Sequence, residues 1–250
     1  MQRDSNYTIN RQFNLLEDAA VIGRRAGEET LAKLNPHKLA TMEVPVIFRA
    51  DIASSLFSHL VAAIGGGNVY RKTTFLLDKE HSQIMSPVVN VLERPHLIGG
   101  LASAAFDSEG VKTVEQSIIS DGVLNSYLLG SYAAKRLNRQ PTGHAGGIHN
   151  WFVDPTAGDL AELAKTMGKG LIVTELMGQG VNIVNGDYSR GANGFWIENG
   201  KIAYPVSEVT VAGNLKDMLM KINAVGNDPE KKGSIYAGSV LIDDLMIAGE

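Results

Sequence analysis

Six histidines and no cysteine set the first limits on what this chain can do chemically. His144 and His149 stand five residues apart in QPTGHAGGIHN (140–150), a glycine-rich loop. Two imidazoles there could meet one zinc ion, with a third ligand brought from elsewhere in the chain. They serve equally well as loop histidines that bond backbone or line a cleft. No HExxH pair is present. The absence of cysteine removes thiolate ligands, disulfides and a thiol nucleophile, and it fits a reducing compartment. No G-x-S-x-G marks a nucleophile elbow. Asp107 and Glu109 are spaced as paired carboxylates for acid–base work, and equally as acids that cap a turn. Gly65-Gly66-Gly67-Asn68 follows a helical pattern and lacks a following GK[ST]. A phosphate cradle needs the order strand, loop, helix. Arg71-Lys72 after it is either solvated charge or a grip on a carboxylate, a phosphate or a peptide backbone. Trp151 and Phe195-Trp196 read as core or interface aromatics.

The bulk of the chain narrows these readings. Its 250 residues are 44% apolar and 20% charged, as in ordinary globular proteins, and long enough to bury a core without covalent staples. The net charge of −4, with acids and bases interspersed, offers no basic stripe for nucleic acid. No apolar run approaches the ~18 residues of a membrane span, and the first ten residues carry no secretory pattern. The reading is cytoplasmic. Glycine, 27 residues, exceeds the usual ~7%, which points to many tight turns and a β-rich fold.

The elements that must position these groups follow from periodicity and punctuation. Residues 51–64 form an amphipathic helix with Ile52, Leu56, Leu60 and Ala63 on one face, Asp51 as its N-cap and Gly65–Gly67 as its left-handed stop. A helix is also predicted over 18–34, ended by Asn35-Pro36. Strands are predicted over 7–16, over 43–50 with Pro45 at the start, and over 69–77. Asp121-Gly122 and Asn199-Gly200 each turn a hairpin. Residues 132–137 form a short helical piece. Asp159 and Glu162 make a capping box for a helix that Gly168 stops. A strand covers 171–176, Asn214 caps a helix over 215–225, and 239–247 is a closing strand. The whole reads as one α+β domain, mostly antiparallel and barrel-like, with a few packed helices.

Several long blocks carry a family resemblance: GGGNVYRKTTFLLD (65–78), GLASAAFDSEGVKT (100–113), PTGHAGGIHN (141–150), VTELMGQGV (173–181), GDYSRGANGFWIENGKIAYPVSEVTVAGNL (186–215) and VGND (225–228). Together they resemble the PmbA/TldE branch of the TldD/PmbA metalloprotease family over nearly the whole chain. The resemblance implies that 1–250 is the family's C-terminal domain, with its N-terminal domain missing here. It also implies a distinction within the family. TldD-like members carry a zinc helix, HExxxH, and a further cysteine ligand. Laid on this chain, that pattern puts Ser58 and Ala63 at the histidine positions, His59 at the glutamate position and Ala237 at about the cysteine position. Ligands at i and i+5 sit ~140° apart on a regular helix. With no metal to hold a distortion, the helix over 56–64 is predicted to be regular or to keep a relic bulge.

The role implied is that of a non-catalytic subunit. It would have no catalytic residue and no metal of its own, and would pair with a TldD-like subunit that holds the zinc. Unfolded peptides, a microcin precursor and an antitoxin are the implied substrates; a homodimer would form when the partner is absent. Glycine lets a peptide approach backbone to backbone, so Gly146, Gly147, Gly178 and Gly180, with Arg71, His144 and His149 as polar contacts, are the expected substrate-binding residues. The competing readings are a stand-alone scaffold or regulator of the gyrase-modulator type, and an autonomous hydrolase built on His144 and His149.

Overall fold

The structure, a computed structural model, describes residues 1–249. In chain order the elements are α1 (Ala19–Ala32), β1 (Met42–Phe48), α2 (Ala50–Ile64), α3 (Gly66–Arg71), β2 (Val91–Glu93), β3 (Gln116–Ser120), β4 (Val123–Leu124), α4 (Ser131–Arg136), β5 (Trp151–Val153), α5 (Leu160–Met167), β6 (Gly170–Met177), β7 (Asp187–Glu198), β8 (Lys201–Asn214), α6 (Leu215–Met220), β9 (Ile222–Val225), β10 (Ile235–Tyr236) and β11 (Val240–Ala248).

The strands make two sheets. The first runs β1-β6-β7-β8-β11-β9, and β11 also pairs with β1, so five strands close into a barrel-like ring with β9 at its side. The second runs β10-β5-β2-β3-β4. Among the pairings of these strands only β1–β6 and β5–β10 are parallel. The fold is α+β and mostly antiparallel, as the turn-rich sequence implied. The long β7–β8 hairpin turns at Asn199-Gly200 and the short β3–β4 hairpin at Asp121-Gly122; all four residues have positive φ, as a type I′ turn requires.

Helix α2 is what joins the two sheets. Its apolar stripe, Ala53, Leu56, Phe57, Leu60, Ala63 and Ile64, is fully buried. The stripe packs in one core with ring residues Phe48, Val173 and Trp196 and with Val91, Ile119 and Trp151 of the second sheet. Helix α5, capped by Asp159 onto the Ala161 and Glu162 amides, packs Leu163 and Ala164 against Ile47, Ile172 and Ile197 on another face. Trp151 and Trp196 are both core residues. Among the described residues no helix is long and apolar enough to cross a membrane.

Several local expectations are corrected. Residues 7–16 pair with no strand, because Tyr7 and Ile9 point outward while Asn6 and Thr8 turn inward; only a 3-10 turn forms at Phe13–Leu15. Pro45 lies mid-strand, where the pairing with β11 shifts register and no ladder bond from its nitrogen is needed. The N-cap of α2 is Arg49; Asp51 sits in the first turn and takes the Arg49 guanidinium. Gly65 ends α2 at φ −66, without the left-handed cap, and the chain turns straight into α3 where a strand was expected. Asn68 anchors that turn by donating to the Ala62 carbonyl at 2.8 Å. Helix α6 stops at Met220 because Ile222–Val225 pairs with β11.

Candidate functional site

Two polar groupings stand out, one outside α2 and one beneath the 141–150 loop. On the first, Asp51, Ser54 and Ser58 of α2 face away from the core and line a cavity of about 310 Å³. Glu29, Lys232 and Ser234 complete its wall, and Ser5, Asn6 and Tyr7 lie along it. Asn6 accepts from Lys232 Nζ at 3.2 Å, and Asp4 pairs with Lys33 Nζ at 2.9 Å. Ser58 Oγ turns back onto the Ser54 carbonyl at 3.0 Å. Arg49 holds Asp51 and lies 3.6 Å from Glu29. Burial outweighs that cation at Glu29 and keeps its carboxyl above the ordinary range.

The second grouping is centred on Glu93, which is 1% exposed. Its Oε2 receives His144 Nε2 at 2.7 Å and Gln116 Nε2 at 3.3 Å. Its Oε1 receives the His149 backbone N–H at 2.7 Å and Trp151 Nε1 at 3.1 Å. Burial pushes the Glu93 carboxyl up, but the His144 hydrogen bond and charge and the His149 amide more than offset it, leaving the pKa below the usual carboxylate range. His144 Nδ1 meets Thr142 Oγ1 at 2.8 Å. His149 Nδ1 is buried without a hydrogen-bond partner, and burial depresses that ring's pKa.

Ligand atoms of Glu93, His144 and His149 lie within 4.8 Å of one another, which makes this the one cluster among the described residues with metal-ligand composition. The chemistry of the donor set argues for a structural role. A metal ligand oxygen must offer a free lone pair, and both Glu93 oxygens already accept two N–H donors. What the arrangement does is pin a glycine loop, through one carboxylate, to strands β2, β3 and β5.

Arg71, Gly146, Gly147, Gly178 and Gly180 were expected to share a substrate surface with His144 and His149. The histidines sit together beneath their loop, at a ring separation of 5.9 Å. Gly146 and Gly147 are exposed above them, with φ of +99 and +133 that only glycine adopts readily. Arg71 ends α3 and is occupied locally: it lies over the Tyr70 ring and bonds Asn68. Gly178 and Gly180 lie in an exposed loop after β6, where a Cβ on Gly180 would overlap the Ser189 carbonyl. No hydrogen bond or ion pair among the described residues links these three places. Asp107 accepts from the Glu109, Val111 and Ala145 amides, and these bonds overcome its burial to lower its pKa: it is turn chemistry. Glu93 escaped sequence reasoning. It lies 51 residues from His144, and a lone acid at the end of VLE gives no signal.

Residues 41–249 match the family described as PmbA/TldA metallopeptidase C-terminal domain. The chain belongs to the PmbA/TldD metallopeptidase family. It is 53% identical over 250 residues to Metalloprotease PmbA of Escherichia coli O157:H7 and 50% identical to the Metalloprotease PmbA homolog of Haemophilus influenzae. These alignments cover 100% of this chain but 56% and 55% of those proteins, so the chain spans about half the length of the curated relatives it matches. Among solved structures, TldE from Thermococcus kodakarensis superposes with a TM-score of 0.83 at 26% identity, over 96% of this chain and 57% of that one. A proposed modulator of DNA gyrase from Bacteroides thetaiotaomicron gives 0.92 at 32%, over 96% and 55%.

Against the zinc pattern of TldD-like members of the PmbA/TldD family, the residues here do not fit a metal. Ser58 is exposed and bonded to its own helix. Ala63 and Ala237 are buried in the core and offer no donor atom. His59, at the glutamate position, is turned toward Tyr188, with ring centroids 6.1 Å apart. Helix α2 is α-helical from Ala50 to Ile64, with no bulge to bring positions 58 and 63 together.

Proposed function

We propose that this chain is the non-catalytic half of a two-chain zinc metalloprotease. A TldD-like subunit would hold the zinc and cut unfolded or small peptides; this chain would line the chamber and help hold the substrate. The observation that carries the reading is the state of α2: the helix keeps its buried stripe and its polar outer face, yet positions 58, 63 and 237 lack a donor set for zinc. The named relatives are metalloproteases, so a partner chain is the simplest source of the missing chemistry. A peptide-antibiotic precursor or an antitoxin in the cytoplasm suits such a pair, and two copies of this chain would pair when the partner is absent. The test is to express the full-length protein with and without a TldD-like subunit and to measure zinc content and peptide cleavage. The expected result is zinc and cleavage only with the partner. Zinc-dependent cleavage by this chain alone overturns the reading, and failure to associate with the partner favours a stand-alone scaffold.

One observation favours a second reading, an autonomous hydrolase: Glu93, His144 and His149 come within 4.8 Å of each other. The four N–H donors already on Glu93 weigh against it. Cleavage by the chain alone that is lost in His144→Ala and His149→Ala would support it.

A further inference from the structure

Arg190 is a cation that makes no ion pair among the described residues. It lies half-buried on β7, two residues after Tyr188, so both side chains leave the same face of the strand. The next residue on that face, Ala192, is in the core with Tyr188 and α2 residues Leu56 and Leu60. Among the described residues Arg190 has no ion pair, and its Nε is shielded from water without a hydrogen-bond partner. Two polar atoms of α2, His59 Nε2 and Ser55 Oγ, are in the same state, and the Tyr188 phenol has the Arg190 guanidinium beside it. The His59 and Tyr188 rings meet edge to face at 6.1 Å. Ser55 is one turn before His59 and shares its face of α2.

The charge state of the cluster follows from burial. Desolvation, with Arg190 adding to it, depresses the His59 pKa. Desolvation also pushes the Tyr188 phenol up to about 12, against the charge of Arg190 and a hydrogen bond from its guanidinium. At neutral pH the phenol keeps its proton and the imidazole is uncharged. The cluster therefore holds one positive charge, two hydroxyl donors and a ring N–H, with no carboxylate acting on His59 or Tyr188. Folded proteins rarely leave one buried polar atom unpartnered, because each costs about as much as a lost hydrogen bond. Such atoms gathered about a guanidinium whose own Nε is unpartnered describe the complement of a small anion. Ser55, His59 and Arg190 are half-buried and Tyr188 is 1% exposed, so the phenol lies deepest of the four. The exposed glycine loop 178–180 runs beside it: Gly180 O accepts the Ser189 amide at 2.7 Å, and Val181 bridges to Tyr188.

We infer that Arg190, Tyr188, His59 and Ser55 form a receptor for one carboxylate of a bound peptide. A guanidinium fork grips both oxygens of a carboxylate in one plane, and the hydroxyls supply the remaining donors. This rests on the reading of the chain as a peptide-handling subunit. The carboxylate is a free C-terminus or an acidic side chain, and the test separates the two. Three pentapeptides are titrated calorimetrically against the 250-residue chain: penta-alanine with a free C-terminus, its C-terminal amide, and that amide with a central glutamate. The expected result is at least tenfold tighter binding of a carboxylate-bearing peptide than of the plain amide. That preference falls to less than twofold in Arg190→Gln and is partly retained in Arg190→Lys, and the Arg190 Nε–H resonance shifts only with the carboxylate peptides. Circular dichroism establishes that each variant is folded. If Arg190→Gln does not fold, Tyr188→Phe and Arg190→Lys carry the test, each expected to lower the preference at least threefold. Equal binding of acid and amide, no binding of any peptide, or a preference that survives these substitutions overturns the receptor. Peptide cleavage by the complex with the TldD-like subunit is scored separately. Carboxylate preference without any cleavage keeps the receptor and removes the protease reading; cleavage without the preference does the reverse.

Discussion

Replacing Glu93 separates two roles that one carboxylate plays. Glu93→Gln keeps shape and loses charge; Glu93→Ala leaves its donors facing a void. In the wild type each oxygen accepts two N–H groups. With glutamine, the amide oxygen can stay on the His149 amide and Trp151 Nε1, while the new NH₂ faces His144 Nε2. His144 adapts by taking the other ring tautomer, with its proton on Nδ1 toward Thr142 Oγ1. The loss is then the charge assistance and the Gln116 bond, about 1–2 kcal/mol. With alanine, the His149 amide and Trp151 Nε1 lose their partner outright, and His144 and Gln116 lose theirs. At about 1–3 kcal/mol for each buried unsatisfied group, and with some relief from water entering the space, Glu93→Ala costs at least about 3 kcal/mol. Urea unfolding followed by tryptophan fluorescence measures both. The pH profile gives an independent check. A depressed carboxyl pKa stabilises the fold above the unfolded value, ~4.3, and that stability is lost as pH falls through the folded value. Glu93→Gln should flatten this acid limb. Equal costs for the two variants, or a cost below about 1 kcal/mol for alanine, would refute the account of Glu93 as a hydrogen-bond hub.

Three further outcomes are expected. The double substitution Ser58→His, Ala63→His should not create zinc binding at micromolar metal, because the two side chains leave a regular α2 ~140° apart and Ala63 faces the core; equilibrium dialysis against zinc checks this. Gly66→Ala should destabilise by about 1–3 kcal/mol despite alanine's helix propensity, since its Cβ would stand 2.7 Å from Ala133 Cβ; thermal melting reads the loss. His59 and His149 are both held neutral by burial, so the native state binds fewer protons than the unfolded chain just below pH ~6.5. Stability should fall as pH drops from 6.5 toward 5, and His59→Gln with His149→Gln should flatten that slope in pH-dependent urea melts.

What the sequence disclosed, it disclosed through local rules. The Asp159 cap, the two Asx-Gly turns and most of the α2 stripe (with Ala53 buried where Ile52 was expected) are each written in fewer than fifteen consecutive residues. Some errors are local, as at the Asp51 cap and the Gly65 stop of α2, and others came where a distant contact decides. Residues 69–77 alternate like a strand, yet Gly66 nests against Leu128 and Ala133 and the chain coils. Residues 215–225 read as one helix, but Ile222–Val225 completes a ladder with β11. The candidate site was harder still. The histidine pair was visible and its loop was visible; Glu93 was not, because nothing near position 93 says that four donors from positions 116, 144, 149 and 151 converge on it. That Arg190 makes no ion pair among the described residues is a property of the fold and has no sequence signature.

The three faces of α2 are held by different constraints. The apolar face is fixed by the two sheets it joins, and any polar substitution there would lose a buried side chain worth ~1.5–3 kcal/mol. Position 63 belongs to that face, so a small apolar residue is what packing favours there, and alanine fills it with no exposed area. The outer face is free of that constraint: Asp51, Ser54 and Ser58 stay polar and wall a cavity. The third face, with Ser55 and His59, is constrained by neither packing nor solvent, since its polar atoms are shielded yet unpartnered beside Arg190. A face relieved of all function would be expected to drift toward apolar residues, which would cost nothing at the core boundary. That it instead keeps Ser55 Oγ and His59 Nε2 unsatisfied near an unpaired cation is a standing energetic penalty, and a penalty of that kind is retained where a ligand removes it.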